Sequence, residues 1–234
     1  MEQIPNYGDQ RQQDFCVHCG GTTETRDHAP SKILLDKPYP TNLPVLPACP
    51  ACNEGFSADE EYLACFVECV LHGSTDPVKL SRQKVSRILA ESQALRERIE
   101  RSKKQSQTLG GGKIIVRQPE EDRVRNVILK LARCHAAFEL NEPQICDPDH
   151  YMVTPLAGLS REQREHFETA PDTGVWPEVS SRAMQRMIIG DQPYSDGWLE
   201  VQEGRYRYMA VGAEGVMVRG VLSEYLAFEV VWDT

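Results

Sequence analysis

Apolar residues recur every three or four positions in three stretches of the chain, the spacing of one face of an α-helix. The first stretch follows Ser57-Ala-Asp-Glu, a capping sequence typical of a helix start, and should end near Gly73. The second extends from about Val78 to Gln107, and the third is opened by Pro119 and three acidic residues. Their predicted buried positions are Tyr62, Leu63, Phe66, Val67; Val85, Ile88, Leu89, Leu95, Ile99; and Val124, Val127, Ile128, Leu131, Phe138.

The last third of the chain has a different pattern. Two short helices, at about 160–169 and 179–188, precede runs rich in β-branched and aromatic residues. Glu203-Gly204 and Ala213-Glu-Gly215 are hairpin connections. The predicted strands are Trp198–Val201, Arg205–Val211, Val216–Leu222 and Tyr225–Val231. The expected fold class is therefore α+β, with central helices and a C-terminal antiparallel β region.

The composition is that of an ordinary globular protein, with 40% hydrophobic and 26% charged residues among 234. Its longest apolar runs are far shorter than the ~18 residues that span a bilayer. The first residues, Met-Glu-Gln-Ile-Pro-Asn, lack the basic head and apolar run of a signal peptide. We therefore expect a cytoplasmic protein with no membrane partner.

The net charge of −9 hides a patterned chain. Residues 1–72 carry 4 basic and 11 acidic residues, residues 73–135 carry 15 and 7, and residues 136–234 carry 7 and 17. The basic middle block predicts contacts with nucleic-acid phosphates. Its alternatives are a solvated helix face and a dock for the acidic tail or a partner subunit. The residues predicted to bind nucleic acid are Arg96, Arg98, Arg101, Lys103, Lys104, Lys113 and Arg117.

Four of the eight cysteines form two Cys-x-x-Cys pairs, Cys16/Cys19 and Cys49/Cys52. Two such pairs can complete a tetrahedral structural zinc site. The alternative, a redox Cys-x-x-Cys, normally occurs singly at the start of a helix in a βαβ unit. Cys65 and Cys69 are one helical turn apart in an apolar run and are predicted to be buried thiols, and Cys134 and Cys146 are interpreted in the same way. His18, inside the first pair, could replace a cysteine as ligand, but a solvated side chain is expected.

Polar residues lie at particular places around these cysteines. Asp27-His28-x-Pro30 and Asn42 lie between the two pairs, and Asn53 follows Cys52 directly. In this order the residues resemble the HNH endonucleases, also called His-Me-finger or ββα-metal nucleases, in the four-cysteine, zinc-stapled version. The last position is Asn instead of the eponymous His, as in HNN variants. The resemblance covers about residues 15–65.

The resemblance implies a metal-dependent endonuclease that hydrolyses phosphodiester bonds. Histidine suits a general base at neutral pH, so His28 is the expected base. Asp27 and Asn53 would supply oxygen ligands to Mg²⁺ or Mn²⁺. By the same resemblance, Asn42 would hold the loop and the His28 ring in place. Structural Zn²⁺ on the four cysteines would stabilise the finger.

The implied substrate is DNA, with a ribonuclease or toxin activity as one alternative and a non-catalytic zinc module that binds nucleic acid or protein as another. Small HNH proteins are often parts of bacterial restriction or phage-defence systems, which is an association at fold level. One finger offers one active site, so paired strand breaks would require a homodimer or a partner protein. The expected domains are a finger at 1–73 and a helical and β region at 74–234.

Overall fold

The computed structural model describes residues 14–41, 43–107, 113–172, 177, 181–189, 194–212 and 214–233. It divides the chain into two compact units, one of residues 1–57 and 128–234 and one of residues 58–127. The expected domain boundary at residue 73 falls within the second unit, and the expected division stays a prediction. Within the described residues, every helix is too short or too polar to cross a membrane.

The N-terminal region is a strand–strand–helix. Strand β1 (Thr25–His28) pairs antiparallel with β2 (Val45–Ala48), with His28 opposite Val45, and α1 (Pro50–Leu71) follows. The predicted start of α1 at Ser57 is wrong, because the helix begins directly at the second cysteine pair. Proline at a helix start is favourable, since its fixed φ suits the first turn and its missing N–H needs no partner there. The predicted end is confirmed, with Gly73 at φ +62° just beyond it.

The predicted helix over Val78–Gln107 is two helices and a strand. Helices α2 (Gln83–Glu91) and α3 (Gln93–Arg101) are separated by Ser92, whose hydroxyl accepts from the amide of Leu95 at 3.4 Å. Serine competes for backbone partners in this way and favours helix starts over helix interiors. Strand β3 (Lys103–Gln107) then pairs with β4 (Lys113–Arg117). The apolar spacing nevertheless identified buried residues, because Val85, Leu89 and Ile99 are all fully buried.

The third predicted helix is confirmed as α4 (Glu121–His135), which continues into a π-helical turn over Ala136–Leu140. Its predicted buried face is also confirmed, with Val127, Ile128 and Leu131 fully buried. The buried ring of His135 stacks on Tyr208 with centroids 3.6 Å apart and lies 2.8 Å from the hydroxyl of Tyr206. These contacts join the end of α4 to the C-terminal sheet.

The C-terminal region is one antiparallel sheet of six strands in the order β5-β10-β9-β8-β7-β6. The four predicted strands are confirmed to within about two residues, the usual uncertainty of element ends. The short helices are α5 (Arg161–Glu168) and α6 (Arg182–Ile189). The strands are β5 (His150–Pro155), β6 (Tyr194–Ser195), β7 (Trp198–Gln202), β8 (Tyr206–Gly212), β9 (Gly215–Leu222) and β10 (Leu226–Asp233).

Strand β5 was not predicted from the sequence. Within the described part of the chain it is an edge strand that pairs with β10 alone, and it ends in Pro155, opposite Leu226. Its burial alternates little, and no residue of it is fully buried. An edge strand of this kind lacks the period-two apolar signal that identified the other strands.

Candidate metal centre and the surroundings of His28

The four cysteines of the two Cys-x-x-Cys pairs lie together. All four sulfur atoms are within 4.8 Å of one another, and the Sγ atoms of Cys19 and Cys49 are 3.8 Å apart. A tetrahedron with Zn–S bonds of about 2.3 Å has edges of about 3.8 Å. A disulfide would require about 2.05 Å between sulfurs. The cluster therefore fits a structural zinc ion, as predicted.

Local backbone geometry prepares both cysteine pairs for this role. After the first pair, Gly20 adopts a φ of +73°, which lets the chain turn so that the amide of Cys16 donates to the carbonyl of Gly21 at 2.7 Å. In the second pair, the amide of Cys52 donates to Sγ of Cys49 at 3.4 Å. That backbone hydrogen bond, with one from the Cys52 side chain, lowers the pKa of Cys49 to about 7. Cys49 is therefore the more readily deprotonated member of the second pair, because burial and the hydrogen bond to Cys49 raise the pKa of Cys52.

The carboxylate of Asp27 points into the protein. Its side chain is only 8% exposed, and Oδ1 lies 2.8 Å from Nζ of Lys130 while Oδ2 lies 3.1 Å from Nε2 of His18. Burial raises the pKa of Asp27, but the hydrogen bond with His18 and the charge of Lys130 outweigh it, so the net shift is downward. Asp27 is therefore an ionised, buried and paired carboxylate.

Lys130 is the residue at this site that sequence reasoning missed. It lies on α4, its side chain is 1% exposed, and besides Asp27 it donates to the carbonyl of His28 at 3.1 Å and to Oγ of Ser31 at 2.6 Å. A signal was present in the sequence. Lys130 stands three residues after Val127 and four before Cys134, which is the buried face of the helix.

His18 is buried instead of solvated, contrary to expectation. Its side chain is 1% exposed, and its ring packs edge-on against Phe56 with centroids 4.7 Å apart. Its Nε2 lies 4.0 Å from Sγ of Cys134, so these two residues and Asp27 form a second group of metal-ligating atoms. Lys130 already neutralises Asp27 there, and its ammonium would repel a cation bound to the same carboxylate. We therefore interpret this trio as a hydrogen-bonding cluster.

The residues implied for Mg²⁺ or Mn²⁺ do not fit that role as a pair. A hard divalent cation needs open oxygen ligands, but both oxygens of Asp27 face protein donors. The amide nitrogen of Asn53 points to Oγ1 of Thr25 at 3.3 Å and to the carbonyl of Arg26 at 3.4 Å, and no contact brings its side chain to Asp27 among the described residues. Asn42 lies outside the described residues. We assign no catalytic cation to Asp27.

His28 is the half-buried last residue of β1. Adjacent strand residues point to opposite faces, so its ring lies on the face opposite to the carboxylate of Asp27. Burial, followed by the charge of Lys32, lowers the pKa of His28 below its ordinary value. The imidazole is therefore neutral at neutral pH and can accept a proton.

The basic residues predicted to bind nucleic acid lie on α3 and on the β3–β4 hairpin, and they differ in availability. Arg101, Lys103 and Lys104 are exposed. Arg117 is not available, because its side chain is 5% exposed and its guanidinium donates to the carbonyl of Ile99 at 2.8 Å and to Glu100 at 3.2 Å. Arg98 is half exposed and pairs with Glu120 at 3.3 Å, Arg96 is partly buried, and the side chain of Lys113 is outside the described residues.

The remaining cysteines are mostly buried thiols, as predicted. Cys65, Cys69 and Cys134 are fully buried, and burial raises the pKa of Cys69 to about 12. Cys146 is the exception, since it is exposed. Its position in the loop between α4 and β5, outside any helix or strand, explains why an argument from apolar neighbours failed there.

Comparison with family models, with curated proteins and with solved structures finds no match to this chain. The structure itself supports a strand–strand–helix region beside a four-cysteine cluster that could hold zinc.

Proposed function

We propose that this protein is a zinc-stapled endonuclease of the HNH type, with His28 as general base and DNA as substrate. The observation that carries the proposal is the position of His28 at the end of β1, in a strand–strand–helix region with a four-cysteine cluster. Cys16 and Cys19 precede β1, while Cys49 and Cys52 flank the start of α1. Zinc on all four would fix the helix to the hairpin beside His28.

The charge state of His28 supports its proposed chemistry. Phosphodiester hydrolysis needs a group that accepts a proton from the attacking water. The lowered pKa keeps the imidazole in the neutral form that can do so. The neighbouring charge of Lys32, which contributes to that shift, is of the sign that attracts a phosphate.

A divalent cation would supply charge neutralisation at the phosphate, as in the resembled family. We name no ligand for this cation among the described residues, because the carboxylate of Asp27 is already paired with Lys130. We therefore propose His28 as the reacting group. We also propose that the reaction requires a divalent cation, which the cleavage assay tests. Cleavage should require added Mg²⁺ or Mn²⁺ in addition to the zinc.

A second candidate function is a non-catalytic zinc module that binds nucleic acid or another protein. The observation that favours it is the burial of Asp27, which removes the acid of the Asp-His pair from the surface. In such a module, Asp27 and Lys130 would be a structural ion pair and His28 a half-buried surface residue.

The experiment that separates the two candidates is incubation of the purified, zinc-loaded protein with supercoiled plasmid, linear duplex and single-stranded RNA. Each is tested with Mg²⁺, with Mn²⁺ and with neither. The nuclease proposal predicts nicked plasmid that depends on the added ion. Binding without cleavage of any substrate would favour the non-catalytic module, and cleavage confined to RNA would identify a ribonuclease.

A further inference from the structure

We propose that Lys130 is a positioning residue that holds the segment carrying His28. This inference rests on the proposed function, because it assigns Lys130 a role in the reaction of His28. Lys130 is on α4, far along the chain from the motif residues, and its ammonium reaches Asp27, the carbonyl of His28 and Ser31. Lys130 therefore contacts the residue before His28, the backbone carbonyl of His28 itself, and Ser31 three residues further on.

The chemistry of the lysine matches the site. An ammonium has three N–H donors and no acceptor. Three acceptors among the described residues lie within hydrogen-bonding distance of it: Oδ1 of Asp27 at 2.8 Å, the carbonyl of His28 at 3.1 Å and Oγ of Ser31 at 2.6 Å. With the side chain only 1% exposed, the helix presents these donors without competition from bulk water. We call Lys130 and these three partners the Lys130 clasp.

The clasp acts on the backbone. The amide of Ala29 donates to the carbonyl of Pro44 at 3.1 Å, and the amide of Leu34 donates to the carbonyl of Ser31 at 2.9 Å. Both hydrogen bonds lie in the segment that Lys130 holds, so they should open more often when Lys130 is removed. A reacting group must be held close to its productive position, and a displacement of about 1 Å can cost about 100-fold in rate.

A second contact from α4 supports the same role for this helix. The guanidinium of Arg133 donates to the carbonyl of His18 at 3.4 Å and to those of Ile145 and Cys146 at 3.1 Å. Cys134 belongs to a buried cluster with Val17 and Ala29. One turn of α4 thus contacts the first cysteine pair and the His28 segment together.

The test must separate positioning from charge balance, because Lys130→Met leaves the buried carboxylate of Asp27 hydrogen-bonded to His18 but without the lysine charge. Three variants are therefore compared: Lys130→Met, Asp27→Asn, and the double variant Asp27→Asn/Lys130→Met. The double variant removes both charges and should regain thermal stability relative to Lys130→Met. Lys84→Met, at an exposed position on α2, is the control.

The readouts are amide exchange at Ala29 and Leu34, followed by NMR, and kcat and KM for duplex cleavage. The inference predicts exchange at both amides on the order of tenfold faster in the double variant than in Asp27→Asn. It also predicts kcat lower by about tenfold or more with little change in KM, since positioning acts on the transition state. Lys84→Met should match the wild type in all of these.

Equal amide exchange and equal kcat in Asp27→Asn and the double variant would overturn the inference. The role of Lys130 would then be limited to balancing the charge of Asp27. Ser31→Ala, which removes one acceptor and keeps both charges, gives a second arm if the double variant does not fold. Faster exchange at Leu34 supports the clasp, and wild-type exchange contradicts it. Failure of the proposed nuclease function is distinguishable from failure of this inference. If the wild type cleaves no substrate, the amide-exchange rates of the variants can still be measured and compared.

Discussion

Nζ of Lys130 lies 2.8 Å from Oδ1 of Asp27, and both side chains are almost completely buried. This ion pair connects α4 to the Asp-His pair at the end of β1. It also changes the interpretation of the motif, because Asp27 was expected to be an oxygen ligand of a catalytic cation. In the structure its carboxylate has a protein cation as its partner instead.

Asp27→Asn should be strongly destabilising if Asp27 balances Lys130. Removing one partner of a buried ion pair leaves the other charge unpaired and costs about 3–5 kcal/mol. Urea unfolding measures the effect. Asp36→Asn is the control, because Asp36 is 38% exposed and its ion pair with Arg205 lies near the surface, where loss of a pair costs about 1 kcal/mol or less. Unchanged stability of Asp27→Asn with loss of ion-dependent cleavage would instead assign Asp27 to the catalytic cation.

The four-cysteine cluster should bind one zinc ion per chain. Cys49→Ser removes one ligand and should lower the zinc content and the melting temperature together, because the free energy of zinc binding contributes to folding. Cys146→Ser is the matched control, since Cys146 is exposed and outside the cluster. Metal analysis by mass spectrometry after dialysis measures both variants. Full zinc content in Cys49→Ser would contradict the assignment.

Acid should destabilise the protein through His135. Burial, with the charge of Lys130 as a second cause, lowers the pKa of His135 to about 3. In the unfolded chain this histidine has a pKa of about 6.5, so below that pH the unfolded chain binds a proton that the folded chain does not bind. The contribution of His135 to the free energy of unfolding is therefore fully present above about pH 6.5 and is lost as the pH falls towards about 3. Between about pH 7 and about pH 5, the loss from this group is about 2 kcal/mol.

Urea unfolding at several pH values tests this prediction with His135→Phe, which keeps an aromatic ring and removes the titrating group. The variant should lose less stability on acidification than the wild type. Val78→Ala, which changes an exposed apolar residue and removes no titrating group, should retain the wild-type pH dependence. Identical pH dependence in the wild type and His135→Phe would contradict the assignment.

The exposed basic residues near the β3–β4 hairpin should contribute to DNA binding. Replacing Arg101, Lys103 and Lys104 with Gln should weaken binding at every sequence tested. It should also flatten the slope of log K against log[salt] by up to about one unit per lost phosphate contact. Lys79, Lys84 and Arg87, which are also exposed, provide a control triple with the same change in charge. An unchanged slope in the hairpin variant would reassign these residues to a protein contact.

Local patterns predicted the cysteine cluster, the helices α1 and α4, and four strands of the C-terminal sheet. The spacing of the pairs Cys16/Cys19 and Cys49/Cys52 indicated a shared metal site, and hairpin residues such as Gly204 mark the ends of strands. Long-range contacts were not predictable in this way. The position of Lys130 beside Asp27 depends on how α4 packs, and nothing close to Asp27 in the sequence indicates it.

The surroundings of Asp27 were unpredictable for the same reason. In strand β1, the alternation of side chains places Asp27 and His28 on opposite faces. Which face is buried was decided by His18 and Lys130, from the first cysteine pair and from α4. The long helix predicted over Val78–Gln107 failed more locally, because a correct apolar spacing concealed the break at Ser92.

The most direct test of the central claim is plasmid cleavage by His28→Ala beside the wild type, with zinc content and melting temperature measured on the same samples. His28 is half-buried, and none of the four cysteines is changed, so the variant should fold and bind zinc as the wild type does. We predict that the wild type nicks plasmid in Mg²⁺ or Mn²⁺ and that His28→Ala loses cleavage by about 100-fold or more, as expected for a general base. Wild-type cleavage by a folded, zinc-loaded His28→Ala would contradict the account.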